Sequence, residues 1–68
     1  MSEQHVYKKT EIVGTGATMD EAIAAAIARA SKTIRNLRWF EVEEVRGTID
    51  RNQVSAFQVT LKVGFTLE

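Results

Sequence analysis

Two hydrophobic repeats, one with the period of a strand and one with the period of a helix, divide the chain into its elements. From residue 57 to residue 67 apolar and polar residues alternate without error, which predicts a β-strand with one buried face. The preceding strand also alternates, but Phe40 and Val42 are followed by Val45, a step of three where two is due. One extra residue at Glu43–Glu44 restores the alternation, which is typical of a β-bulge.

A helical repeat follows Thr18. Thr18 and Glu21 have the spacing of a capping box, which places the helix N-terminus at Thr18. The apolar positions then recur at spacings of four, three, four and three, and we expect them to form one stripe: Ile23, Ile27, Ala30, Ile34 and Leu37. Asn36 is suited to a left-handed helix stop.

The segment before the helix is a weaker strand. Val6–Val13 is rich in β-forming residues but alternates poorly, which favours an edge strand. We expect Gly14 and Gly16 to end it in a tight turn. The alternative, a phosphate-binding loop, lacks the third glycine or the Lys-Ser/Thr pair of a nucleotide motif. Residues 1–4 are predicted to be a short mobile tail.

The order of these elements predicts an α+β fold, β-α-β-β, in one domain over residues 1–68. Residues 50–53 form the turn of a hairpin between the last two strands. Because the helix crosses over after the first strand, an antiparallel sheet requires the last strand to lie between the other two. We expect a three-stranded antiparallel sheet with one helix packed on one face, while the other face meets solvent, a subunit or a ligand.

Matching the apolar faces of the hairpin also predicts its opposite face. The apolar pairs are Phe40–Val63, Val42–Leu61, Val45–Val59 and Gly47–Phe57. The other face then pairs Trp39 with Gly64, Glu41 with Lys62, and Arg46 with Gln58. The oppositely charged pair supports this register. We expect the missing side chain of Gly64 to leave room beside the indole for a flat molecule.

Length and composition favour stabilisation by association. A chain of 68 residues buries only about 60% of its unfolded surface. It has no cysteine for disulfides or thiolate metal sites, and its nine basic and nine acidic residues do not indicate general nucleic-acid binding. No apolar run could span a bilayer, and no signal peptide is recognisable. We expect a cytoplasmic homo-oligomer with neither nucleic-acid nor membrane partners.

Charged and aromatic residues offer few chemical sites. Between residues 29 and 38 lie four cations and no acid, which either compensate the helix dipole or bind phosphate groups of a ligand: Arg29, Lys32, Arg35 and Arg38. His5 has no partner pattern that indicates a metal or a nucleophile. Trp39, on the face away from Phe40 and Val42, either packs in a subunit interface or stacks on a ligand.

The chain resembles the dodecins in segments whose order and spacing are shared: Trp39-Phe40-Glu41-Val42, Arg46-Gly47, Phe57-Gln58-Val59 and Val63-Gly64-Phe65. Residues 11–15 and the alanine-rich helix match as well, so the similarity covers nearly the whole chain. Dodecins are small flavin-binding proteins with a strand-helix-strand-strand fold that assemble as hollow shells of twelve subunits. The resemblance therefore implies a homododecamer with flavin sites at contacts between subunits.

The resemblance also implies roles for particular residues. Trp39 would stack on the flavin ring, Gln58 would hydrogen-bond its polar edge, and Arg46 would help to hold the phosphate of FMN. Coenzyme A is implied at a second region, where the matching residues are Arg29, Lys32, Thr33 and Arg35. Bacterial relatives often carry Arg just after the Gly-Phe pair, where this chain has Thr66, so the choice between FMN and riboflavin stays open.

The function that the resemblance implies is storage and sequestration of flavin, with Trp39 quenching its photochemistry, and no enzymatic turnover. Two alternatives remain open. A small flavin- or coenzyme A-dependent enzyme would need an ionisable group beside the flavin, such as Glu41 or Glu43. A structural shell would use Trp39 only to pack an interface.

Overall fold

The computed structural model describes residues 5–67, so the tail predicted for residues 1–4 lies outside the described residues. The elements are β1 (Tyr7–Gly16), α1 (Met19–Ala30), β2 (Leu37–Asp50) and β3 (Gln53–Thr66). The three strands form one antiparallel sheet in the order β1-β3-β2. The predicted α+β fold is confirmed, including the central position of the last strand. Within the described residues, no helix is long and apolar enough to cross a membrane.

The β2–β3 hairpin has the predicted register. All seven predicted pairs are present, among them Trp39 with Gly64 and Arg46 with Gln58. The register shifts by one residue between Val42 and Glu44, which is the predicted bulge. A two-residue turn connects the strands, and both of its residues, Arg51 and Asn52, have positive φ, as in the turns that match the twist of paired strands.

Strand β1 is longer than predicted, because Gly14 and Gly16 lie inside it and do not end it. No described glycine has a positive φ, so neither a turn nor a phosphate-binding loop explains the pair. Both glycines face α1 instead: a Cβ on Gly14 would lie 2.8 Å from the Cβ of Ala26, and one on Gly16 would lie 2.7 Å from the backbone nitrogen of Ala22. The two glycines therefore allow the helix to approach the strand closely.

Helix α1 begins at the predicted cap. The backbone N–H of Glu21 donates to Oγ1 of Thr18 at 3.1 Å, and the Glu21 carboxylate accepts from the backbone N–H of Ala17 at 3.1 Å, one residue earlier than in the standard capping box. The predicted isoleucine stripe is only partly right. The fully buried face consists of Ala22, Ala26 and Ala30, while Ile23 and Ile27 flank it half-buried.

The helix ends at Ala30, so Ile34 and Leu37 lie beyond it, and the prediction that Asn36 stops it is wrong. Asn36 does have a left-handed φ of 63°, but it lies next to the start of β2, where its carbonyl accepts from the backbone N–H of Thr66 at 3.1 Å. Of the four cations between residues 29 and 38, only Arg29 lies in the last helical turn. Dipole compensation therefore does not explain the other three.

The helix covers only part of its side of the sheet. It packs on β1 and β3, where Val59, Leu61 and Val63 are fully buried. The side chains of β2 on the same face, Phe40, Val42 and Val45, remain 40–47% exposed. The predicted packing of one helix on one sheet face is confirmed, but a twelve-residue helix does not shield the edge strand β2, which has fourteen residues.

The shape of the chain is elongated. Its Cα radius of gyration is 14.7 Å, compared with about 11 Å for a compact domain of this length. The far end of the hairpin extends past the helix and exposes Ile49 and Val54. An isolated subunit therefore leaves two apolar surfaces in water, on β2 and at the hairpin tip, which favours association with further chains.

Candidate functional site

Trp39 lies flat against the outer face of the sheet, above Gly64. A Cβ on Gly64 would collide with three carbon atoms of the indole, so the space that we expected Gly64 to leave for a ligand is filled by the Trp39 ring itself. The ring of Tyr7 meets the indole edge to face, with centroids 5.3 Å apart. Trp39 remains 37% exposed, so the indole has one surface against the sheet and another available for contact.

A charged network fixes the polar edge of this indole. The Trp39 Nε1–H donates to Oε2 of Glu41 at 2.9 Å, and the Lys9 ammonium lies 3.3 Å from both oxygens of the same carboxylate. These contacts connect β2 with β1 across the central strand β3. The indole N–H, followed by Lys9, holds the pKa of the Glu41 carboxyl below its ordinary value of 4.5.

Arg38 occupies a second irregularity of β2, beside Trp39. The register shifts between Leu37 and Trp39, which leaves Arg38 without a partner across the ladder. Its Nε–H donates to Oγ1 of Thr66 at 3.0 Å, and Thr66 is only 4% exposed. Thr66 is therefore a buried anchor for an arginine next to the indole.

Gln58 and Arg46 lie together but far from Trp39. They are paired across β2 and β3, whereas Trp39 pairs with Gly64, six positions further along β3. At about 3.3 Å per residue the separation is roughly 20 Å, so a flavin ring cannot touch Trp39 and Gln58 of the same chain. The structure confirms the pairings of these residues but does not bring them together in one subunit.

Three of the four residues predicted to bind coenzyme A, at and beyond the C-terminal end of α1, line two shallow cavities. Arg29 and Thr33 border a groove of about 260 Å³ between α1 and β1. Thr33 and Arg35 border a second one of about 400 Å³, together with residues from the end of β3. Lys32 borders neither cavity. The four residues predicted for coenzyme A are thus neighbours on the surface but do not converge on a single pocket.

The sequence did not indicate that Tyr7 contacts Trp39, that Lys9 pairs with Glu41, or that Thr66 holds Arg38. The pairing of Lys9 with Gly64 depends on the register of β1, whose poor alternation gives little information.

Among residues 5–67 there is no group of three or more His, Cys, Asp or Glu that could hold a metal ion. The polar groups that surround Trp39 are thus a paired carboxylate and two cations, on an exposed sheet face.

Comparison with known proteins gives consistent matches over nearly the whole chain. The family model described as Dodecin matches residues 6–68. Dodecin from Thermus thermophilus is 58% identical over 64 residues, which cover 93% of each chain. The dodecin structures from Streptomyces davaonensis and Streptomyces coelicolor are 51% and 50% identical, with TM-scores of 0.91 and 0.90. The former covers 97% of this chain and 98% of its own, the latter 98% and 97%.

Proposed function

This chain belongs to the dodecin family, a family of small flavin-binding homo-oligomers, and we propose that it stores and sequesters FMN or riboflavin in a shell of twelve subunits in the cytoplasm. The observation that carries the proposal is the indole of Trp39. An aromatic side chain held on its edges by Tyr7 and Glu41, supported from below by Gly64, and 37% exposed is a rigid platform for a flat ring.

The residues around Trp39 fit a flavin better than they fit a substrate that is turned over. A bound flavin supplies a light-absorbing ring whose excited state an adjacent indole can quench. Trp39 provides the stacking surface, and Glu41 keeps the indole plane in place through its hydrogen bond. Because the Glu41 carboxylate is already paired with Lys9 and the indole, and its pKa is lowered, it is poorly suited to remove a proton from a substrate.

A single flavin site takes residues from different subunits. The separation of roughly 20 Å between Trp39 and Gln58 within one chain requires a second chain to supply the polar contact. The uncovered apolar face of β2, with Phe40, Val42 and Val45, supports such an assembly because its exposed area is stabilised only by contact with another chain. In this proposal Gln58 of one subunit hydrogen-bonds the polar edge of a flavin that stacks on Trp39 of another.

Two further ligand contacts belong to the same proposal. Arg46 forms no ion pair among the described residues, and its guanidinium is therefore available for the FMN phosphate. Arg29, Lys32, Thr33 and Arg35 form a basic surface beside the cavities at the end of α1, and coenzyme A, with its phosphate groups, is the proposed ligand there.

The test of Trp39 is a titration of FMN and riboflavin against wild type, Trp39→Ala and Trp39→Phe, followed by flavin fluorescence. Stacking of a base on an aromatic side chain is worth about 1–3 kcal/mol, and a flavin ring should behave similarly. Trp39→Ala is expected to lose about five- to hundredfold in affinity while the shell persists, and Trp39→Phe is expected to lose less. If Trp39→Ala quenches flavin fluorescence as strongly as wild type does, the indole serves only to pack a subunit interface.

The test of the shared site is to unfold Trp39→Ala and Gln58→Ala chains together and reassemble them. Mixed shells contain some sites with both wild-type residues, so they are expected to bind flavin more tightly than either parent. Each parent, reassembled alone, is the control for damage caused by refolding. Binding equal to the average of the two parents would exclude a site shared between subunits.

A further inference from the structure

We propose that Arg38, held in place by Thr66, binds the phosphate monoester of a flavin stacked on Trp39 and thereby makes the site prefer FMN over riboflavin. The inference rests on the proposed flavin site. It adds Arg38 to Arg46 as a ligand of the phosphate, although nothing in the sequence separates Arg38 from the other three cations between residues 29 and 38.

The first step is the placement of Arg38. Its Cα lies one residue, about 3.8 Å, from that of Trp39, and the register shift at this point removes it from the strand ladder. Its hydrogen bond to Thr66 places its guanidinium at the same end of the sheet as Tyr7, which pairs with Thr66 and contacts the indole. The cation is therefore beside the stacking platform.

The second step is the way in which Arg38 is held. A guanidinium has five N–H donors, and the bond to Thr66 uses the one on Nε. The two terminal nitrogens keep four donors in a planar fork, which is the geometry that binds two phosphate oxygens at once. Thr66 is nearly fully buried, so its hydroxyl is a fixed anchor and the fork is oriented before a ligand arrives.

The third step is the charge of Arg38. Among the described residues, the ion pairs on this sheet face are Lys9 with Glu41 and Lys62 with Glu43, and Arg38 has no carboxylate partner. Lys9 is paired with Glu41, so among the residues that the structure describes Arg38 is the cation next to Trp39 that has no carboxylate partner. An anionic ligand group would compensate it, and the neutral ribityl chain of riboflavin would not.

The experiment compares the affinities of assembled wild type and Arg38→Gln for FMN and for riboflavin. Lys8→Gln is the matched control, because Lys8 pairs with Phe65 at the same end of the sheet but on the helix side, so the same charge is removed from the opposite face. We expect Arg38→Gln to lose about ten- to hundredfold in FMN affinity and to keep its riboflavin affinity, so that the ratio of the two affinities falls by the same factor. Lys8→Gln should keep the wild-type ratio.

Two further arms keep the test decisive. Inorganic phosphate should compete with FMN but not with riboflavin in wild type, and this competition should be weaker in Arg38→Gln. If Arg38→Gln does not assemble, Arg38→Lys, which keeps the charge but not the fork, should show a smaller FMN preference than wild type. A ratio of FMN to riboflavin affinity that is unchanged in the assembled variant would overturn the role of Arg38. Failure of wild type to bind either flavin would instead overturn the flavin site itself.

Discussion

Replacement of Gly64 by alanine tests whether the position of the Trp39 ring, and not merely its presence, creates the stacking platform. The new Cβ would lie far inside the 3.4 Å at which ordinary contact with three indole carbons begins, so the ring must withdraw by about 1 Å. The obstructing atoms belong to a side chain, so we expect the sheet to persist and the indole to move. The move separates Nε1 from Glu41 and shifts the ring away from Tyr7.

The expected size of the effect follows from the value of stacking. If most of the roughly 1–3 kcal/mol of a stacked contact is lost, flavin affinity should fall about five- to hundredfold although every residue that contacts the ligand is still present. Flavin titration and the indole emission of the ligand-free protein measure the two parts of the effect. Gly47→Ala is the matched control, since its new Cβ would meet only the carbonyl oxygen of Ala56, at 3.0 Å. Wild-type affinity and wild-type indole emission in Gly64→Ala would refute the argument.

Three further predictions concern stability and assembly. The pKa of Glu41 is lower in the folded than in the unfolded state, so its contribution to folding stability is present above pH 4.5 and is lost as the pH falls through the folded value. The midpoint temperature of thermal unfolding should therefore change less between pH 7 and pH 3 in Glu41→Gln than in wild type. Gly14→Ala should destabilise the fold by about 1–3 kcal/mol or more, measured by chemical unfolding, because the new Cβ would collide with the backbone oxygen of Ala22. Phe40→Glu should shift the protein from oligomer to smaller species in sedimentation, because it puts a charge on the uncovered apolar face of β2, and an unchanged sedimentation profile would contradict that role.

The sequence predicted the hairpin in detail because several constraints agree there. Strict alternation in β3, the three-residue step around Glu43–Glu44 and the cross-strand charge pair allow one register that aligns both faces. That register alone places Trp39 on the outer face and separates it from Gln58.

The helix face and the surroundings of Trp39 could not be predicted in the same way. The hydrophobic repeat is read from large apolar residues, so it predicted that Ile23 and Ile27 are buried. In the structure α1 approaches Gly14 so closely that only small residues fit between them, and Ala22 and Ala26 are buried instead. The network of Lys9, Glu41 and the indole depends on the pairing of β1 with β3, and β1 has no alternation to fix that pairing.

Native mass spectrometry of the wild-type protein titrated with FMN tests the central claim most directly, because it reports the number of chains and the number of ligands in the same particle. The account predicts a particle of twelve chains that carries flavin, and no flavin on any single chain, since Trp39 and Gln58 of one chain are too far apart to share a ring. Flavin should also make the particle more resistant to dissociation, by mass action. A folded monomer that binds flavin by itself, or a twelve-chain particle that binds none, would contradict the account.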